Sequence, residues 1–306
     1  MKRHYEGLLR DMSVALMMGG PGKEREVSLR SGAAVAGALR KAGARVREMD
    51  VTGPGFRLPE GTRLVYNMIH GTFGEDGELQ SLLDGLGVAY TGEGAVGSRL
   101  AFDKIETKVR FERAGVPTCA WKIIGRGEIP DGNFPCVIKA PRQGSSVGVH
   151  IVRSPDEISA ALDDCFQYGG RVLVEEFFTG RELTVGVLGD QALPVVEIVP
   201  REGFYDYEHK YTKGASDYHV PAKLAAEVTA NVQAAALAAC RSLALEVYSR
   251  VDVLLAPDGR LNVLEINTIP GMTETSLLPK AAAVAGLDFP ALCEEIAGLS
   301  LARKTP

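Results

Sequence analysis

Short apolar runs alternate with amphipathic stretches over the N-terminal third of the chain. Ser13 to Met18 (SVALMM), Arg45 to Val51 and Leu64 to Ile69 predict strands. Lys23 to Lys41, with Val27, Ala34, Val35 and Leu39 along one face, predicts a helix, and so does Glu78 to Gly87. A strand, the turn Gly19-Gly20-Pro21-Gly22 and a helix form an α/β unit whose helix N-terminus suits a ligand. Thr91 to Leu100 turns small and glycine-rich, which marks a first domain boundary. Beyond it, Phe102 to Ala114 and Pro155 to Phe166 predict helices, and Cys119 to Ile124, Cys136 to Lys139, Val149 to Val152 and Val172 to Glu175 predict strands. Leu183 to Leu188 and Val195 to Val199 add two more strands, and Ala222 to Leu245 a long helix. The tail, Leu277 to Ala302, is helical with a break near Gly286. The pattern predicts a mixed α/β class.

The most informative stretch is Arg250 to Ser276, RVDVLLAPDGRLNVLEINTIPGMTETS. Two Val/Leu-rich runs flank Pro257-Asp258-Gly259-Arg260, so a hairpin is expected. With those four residues as the loop, Ala256 pairs with Leu261, Leu254 with Val263, and Asp252 falls opposite Glu265. Alternation then puts Asp252, Glu265 and Asn267 on one face. Opposed carboxylates repel, so something positive belongs between them, and an all-oxygen donor set suits Mg²⁺ bridging to phosphates. The alternative is a solvated acidic face, against which stand Leu254 and Val263 on that same face. Pro270-Gly271-Met272 breaks the strand and can expose backbone amides.

Composition narrows the classes. A chain of 306 residues exceeds one hydrophobic core, so two or three domains are expected. A net charge of −5 points away from nucleic acid. Cys119, Cys136, Cys165, Cys240 and Cys293 are widely spaced without a C-x-x-C pair, which fits free thiols in a reducing compartment. The start has no apolar run resembling a signal peptide, and no stretch reaches the roughly 20 apolar residues of a membrane span. A cytoplasmic protein without membrane partners is expected.

Other candidate groups sit at strand ends. Glu24 and Glu26 in the first helical turn can offset the helix dipole, and Glu24 beside the strand end can also hold a substrate ammonium. His70 opens the loop HGTFGEDG, where a structural or substrate-positioning role is favoured over direct catalysis. Lys139 ends a strand and leads into Pro141-Arg142-Gln143-Gly144-Ser145-Ser146-Val147-Gly148, whose small residues let backbone N–H groups close over phosphates. It lacks the ending of a Walker A loop, while Lys104 upstream and Lys139 supply cations that triphosphate needs. Their alternative is solvated surface charge. Glu175-Glu176-Phe177-Phe178, followed by Glu182, suits an adenosine pocket or an ordinary strand end. Gly203 to Tyr218, rich in aromatics, is expected to be a lid.

Together, GGPGKEREVSLRSG (Gly19 to Gly32), HGTFGEDG (His70 to Gly77), GSSVG (Gly144 to Gly148), FYDYEHKY (Phe204 to Tyr211) and RVDV with LEINTIPGMTETSLLP resemble the D-alanine–D-alanine ligase family of the ATP-grasp superfamily, from Ala15 to about Glu295. The resemblance implies a three-domain ATP-grasp fold with a parallel-sheet N-terminal domain, divided near residues 1–99, 100–182 and 183–306. It implies ATP-dependent joining of two D-alanines through an acylphosphate, for peptidoglycan precursor synthesis. The alternatives are an ATP-grasp ligase with D-lactate or D-serine as acceptor and, behind it, a non-catalytic nucleotide-binding protein, against which the Asp252, Glu265, Asn267 and Arg250 set speaks. It implies two Mg²⁺ (or Mn²⁺) on Asp252, Glu265 and Asn267, and ATP held by Lys104, Lys139, Ser146, Glu175, Glu182 and Lys210. Glu175 would meet the adenine amine and Glu182 the ribose. Arg250 and the Gly271 amide would hold the oxyanion. Glu24 would anchor the first ammonium with His70 nearby, Ser276 and Leu277 would place the second carboxylate, and Glu24, Ser145 and Tyr211 would close the lid. Tyr211 goes with D-alanine as acceptor. A homodimer is also implied. Ser249, Gln143 and the order KAPR depart from the usual family pattern.

Overall fold

The computed structural model describes residues 2–144, 147–200 and 216–303. The N-terminal unit is a four-stranded parallel sheet built from β1 (Ser13–Gly19), β2 (Arg45–Val51), β3 (Leu64–Asn67) and β4 (Ala89–Tyr90), in the order β2-β1-β3-β4. Helix α1 (Arg25–Lys41) covers one face and α2 (Glu78–Gly85) follows the HGTFGEDG loop. Glu24 is the N-cap position of α1, one residue before the first turn expected for it, and Glu26 takes the first-turn place. The small-residue stretch expected to hold a domain boundary contains α3 (Ala95–Phe102), broken from α4 (Lys104–Ala114) at Asp103. Its glycines serve packing, since a Cβ on Gly97 would lie 3.0 Å from Leu245. Asp103 accepts from the amides of Ile105 and Glu106, a side-chain cap that starts α4.

The central unit is the four-stranded sheet β5 (Trp121–Gly125), β8 (Arg171–Glu176), β6 (Cys136–Lys139), β7 (Val149–Val152), in that spatial order and antiparallel throughout. Helix α5 (Ile158–Cys165) packs on it, burying Ala161, Leu162 and Cys165 against Ile138, Val152 and Val172. The third sheet runs β12 (Ser216–His219), β11 (Val196–Pro200), β9 (Arg181–Leu188), β13 (Tyr248–Leu255), β14 (Leu261–Asn267), with β10 (Gln191–Ala192) paired to β9. Helix α6 (Ala226–Ser242) covers one face with Val232, Ala235, Ala236 and Ala239. Helices α7 (Leu277–Val284) and α8 (Phe289–Ala302) cover the other, and Gly186 leaves room for Leu278.

The same C-terminal helices reach the N-terminal sheet. Leu16, Leu64 and Tyr66 share one buried cluster with Ala281, Leu292 and Ile296. First and last segments of the chain therefore bury their apolar faces on each other. All five cysteines are buried thiols, as their spacing implies. No helix among the described residues is long and apolar enough to cross a membrane.

Candidate active site

The hairpin brings Asp252 opposite Glu265 and Arg250 opposite Asn267. Its register differs from expectation in one respect. Leu255, not Ala256, pairs with Leu261, so the loop is one residue longer, and Val253, not Leu254, pairs with Val263. A bulge at Leu264, between the Asp252 and Val253 pairs, absorbs the difference. The acid pair survives, while Val263 swings into the core with Val251, Val253 and Ile266. The functional face is accordingly more polar than the simple alternation predicts.

The positive charge expected between the acids comes from the chain itself. Arg250 donates from Nε and Nη2 to the two Asp252 oxygens, each at 2.9 Å. Thr184, opposite Asp252 on β9, donates to its Oδ1 at 2.6 Å, and Asn267 Nδ2 lies 3.4 Å from Oδ2. Glu265 Oε2 stands 3.2 Å from Lys104 Nζ. Two carboxylates and an amide at adjacent register positions offer oxygen donors on one partly open face, a fit for a hard divalent cation shared with phosphate.

Lys104 also donates to the backbone carbonyl of Gln143 at 2.8 Å, and its own amide donates to Pro141. Arg142 donates to Asp103 at 2.7 Å. The glycine-rich loop is thus stitched to the start of α4. Only the main chain of Gln143 is used by Lys104, so its departure from the family pattern leaves this contact intact. At the far end of the loop, Gly148 has φ +62°, and a Cβ would lie 2.8 Å from Ala140.

Lys139 pairs with Glu175 Oε2, and Lys108 Nζ lies 2.5 Å from Oε1. Burial alone would raise the Glu175 pKa, yet the Lys139 and Lys108 ammoniums beside it bring it down to about 2. Burial opposes the Lys139 charge too, but Glu175, with Glu265 beyond, holds its pKa above the ordinary lysine value. Lys108, on α4 one turn after Lys104, is a site residue that the sequence reading left without a role. The i, i+4 spacing of two lysines was the available signal. Thr184 had no local signal, because its contact depends on cross-strand register. Glu182 lies in β9 itself, not in the preceding loop.

On the N-terminal side, Glu24 points its carboxylate at Gly71 and Gly144. A Cβ on Gly144 would lie 2.8 Å from Oε2, and one on Gly71 would be closer still. A cleft of about 170 Å³ opens between Pro21 to Glu24, Thr72 and the Gln143, Gly144 and Val147 segment. His70 is buried. Its Nδ1–H donates to the Ile269 carbonyl at 2.8 Å, and its Nε2 lies 3.0 Å from Ser31 Oγ. Ser31 Oγ in turn accepts from the Met272 amide at 3.3 Å. His70 therefore brackets the first sheet and the Pro270-Gly271-Met272 turn. Glu75, 3.6 Å from His70 Nδ1, is raised in pKa by burial, which His70 partly opposes. Gly271 approaches Ser276 closely enough that a Cβ would lie 3.1 Å from Oγ. Ser276 Oγ accepts from the Thr273 amide at 3.0 Å, and Ser276 is the N-cap residue of α7, which begins at Leu277. A helix N-terminus and a tight turn so face the same region.

A family model described as the D-ala D-ala ligase C-terminus matches residues 111–297. The D-alanine–D-alanine ligase of Methylacidiphilum infernorum is 48% identical over 290 residues, covering 95% of this chain and 96% of that protein. The chain belongs to the D-alanine–D-alanine ligase family. The corresponding ligase of Citrifermentans bemidjiense is 45% identical, over 92% of this chain and 93% of its own. Among solved structures, the Bacillus anthracis D-alanine–D-alanine ligase complexed with ATP superposes with a TM-score of 0.83 at 31% identity, covering 96% and 98% of the two chains. The VanG D-Ala:D-Ser ligase of Enterococcus faecalis gives 0.83 at 27% identity, over 95% and 100%.

The mixed α/β architecture of this family member is that of the ATP-grasp ligases, as its motifs imply. Of the expected site residues, Glu24, His70, Lys104, Lys139, Glu175, Glu182, Arg250, Asp252, Glu265, Asn267, Gly271, Ser276 and Leu277 have described positions. Ser145, Ser146, Lys210 and Tyr211, and with them most of the lid expectation, lie outside the described residues; its end, Ser216 to Tyr218, is strand β12 instead of loop. Ser249, another departure from the family pattern, is buried and turned to Cys240 at 3.1 Å, away from the polar face.

Proposed function

We propose that this ligase joins two D-alanines into D-alanyl-D-alanine at the expense of ATP. The observation that carries the reading is Lys104, which contacts the glycine-rich loop and the acid hairpin at once. A group so placed can hold a phosphate chain against both. Lys104, Lys139, Ser146 and Lys210 bind and orient the phosphates. Glu182 takes the ribose hydroxyls and Glu175 the adenine end. Asp252, Glu265 and Asn267 would hold two Mg²⁺ or Mn²⁺, which when bound supply charge neutralisation on the phosphates. Arg250 and the Gly271 amide hold the developing oxyanion.

Glu24 holds the ammonium of the first D-alanine, near His70. The carboxylate oxygen of that D-alanine attacks the γ-phosphorus and ADP leaves, giving an acylphosphate. Ser276 and the Leu277 amide seat the carboxylate of the second D-alanine. Its amine, once deprotonated, attacks the acyl carbon, and phosphate departs with the original carboxylate oxygen. Glu24, Ser145 and Tyr211 close the lid. The product suits peptidoglycan precursor synthesis in the cytoplasm, and we place domain limits near residues 99 and 182, with a homodimer as the working assembly. The separate buried cluster of the central sheet supports the division.

A second reading, D-serine as acceptor, is favoured by the equal superposition on the VanG D-Ala:D-Ser ligase. Competition decides it. With ATP, Mg²⁺, D-alanine and equimolar D-serine or D-lactate, mass spectrometry should find D-alanyl-D-alanine as the main product. A mixed product in excess would overturn the acceptor assignment.

A further inference from the structure

The Lys108–Glu175–Lys139 cluster holds one charge more than pairing requires. Glu175 is 2% exposed and lies between two ammoniums. Lys108 is 1% exposed by side chain, whereas Lys139 is 12% exposed. Lys108 is the inner of the two. Besides Glu175, it donates to Thr118 Oγ1 at 2.5 Å and to Cys119 Sγ at 3.7 Å. Thr118 and Cys119 are themselves tied to the hairpin strand β14, through Asn262 and Val263. A lysine this deep is costly to bury, and hydrophobic residues of similar volume would pack the place more cheaply.

Charge counting supplies a reason. With Glu175 opposed by Lys139 alone, the pair is neutral and presents only a dipole to a polyphosphate. With Lys108 present, the three groups carry two positive charges and one negative, and the excess lies on the exposed member. We infer that Lys108 is a positioning residue for the nucleotide phosphates: by neutralising Glu175 from behind, it leaves the charge of Lys139 available to ATP. This rests on the ATP site proposed above. It assigns Lys108 no contact with the nucleotide.

The test is equilibrium binding of ATP and of adenosine, by calorimetry, to the full chain without D-alanine. Lys108→Met should weaken ATP by about tenfold or more and adenosine by less than about twofold. Lys108→Met combined with Glu175→Gln restores the net charge of the cluster, and Gln keeps an acceptor for the adenine end. That double variant should regain most of the ATP affinity, and Lys108→Arg should stay near wild type. Lys108→Met binding ATP like wild type would overturn the inference, as would equal losses for ATP and adenosine, or a double variant no better than the single. If Lys108→Met does not fold, the double variant against wild type decides. Affinity within about threefold supports the charge account, and a tenfold deficit contradicts it. Wild type failing to bind ATP at all would instead defeat the proposed function.

Discussion

Two carboxylates in this molecule are gripped by cations, and they are built for opposite purposes. Glu175 in the central sheet is 2% exposed, and its two lysines are 1% and 12% exposed. Asp252 on the hairpin, 10% exposed by side chain, accepts a bidentate Arg250 that is 18% exposed, and the neighbouring Glu265 is 28% exposed. Removing a partner from a dry site strands a charge, so the first set is permanent. A partly wet pair is worth less and can be exchanged for another cation. The difference separates a fixed background charge from a pair whose partners can be exchanged.

The largest effect that can break this comparison is on the exchangeable side. Asp252→Asn should cut D-alanine-dependent phosphate release by about a hundredfold or more, with the unfolding midpoint nearly unchanged. Unchanged turnover would remove the metal assignment.

Next comes the permanent side. Glu175→Gln leaves two buried ammoniums facing each other and should lose about 3–5 kcal/mol of stability, read from urea unfolding. A loss under about 1 kcal/mol would place this cluster in the exposed class.

The pH dependence sharpens the same contrast with a third carboxylate. Glu93 is 3% exposed, as dry as Glu175, but it faces the backbone amides of Glu246, Val247 and Tyr248 instead of two lysines. Burial pushes it up to about 7, and those amides only partly oppose the shift, whereas Glu175 is held at about 2. The signs therefore differ. Glu175 binds its proton more weakly folded than unfolded, so its stabilisation is full above pH 4.5 and is lost as pH falls toward 2. Glu93 binds its proton more tightly folded, so its contribution is full below pH 4.5 and declines as pH rises through 7. Each slope integrates to about 3 kcal/mol. Glu175→Gln should flatten the acid-side loss, and Glu93→Gln the decline toward neutrality. Unchanged urea midpoint–pH curves in both variants would contradict these assignments.

The smallest effect is expected at Ser31, which joins His70 to the Met272 amide. Ser31→Ala should cost about 1 kcal/mol and raise the KM for D-alanine a few-fold with kcat little changed. A drop in kcat alone would mean that His70 takes part in the chemistry itself.

What the sequence made legible was local. Asp252 and Glu265 were paired correctly although the turn is one residue longer than its Pro-Asp-Gly signal indicates, because the bulge at Leu264 compensates. The same bulge misplaced Val263, since a single extra residue reverses the facing of everything before it. The helix at Ala95 to Phe102 was hidden by its glycines, which packing against Leu245 explains and propensity does not. Glu175 lies far from both lysines in the chain: the antiparallel register of β6 with β8 brings Lys139 to it, and the seating of α4 brings Lys108. Motif order is what made Glu24, Lys104 and Asp252 candidates. Thr184 beside Asp252, Ser31 beside His70 and Lys108 beside Glu175 gave no such signal, because tertiary contact alone defines them.

The central claim is that the first D-alanine is activated as an acylphosphate. D-Alanine labelled with ¹⁸O in its carboxylate, incubated with ATP, Mg²⁺ and wild-type protein, tests it directly. The account predicts one labelled oxygen in the released phosphate for each D-alanyl-D-alanine formed. Dipeptide accompanied by unlabelled phosphate would contradict it.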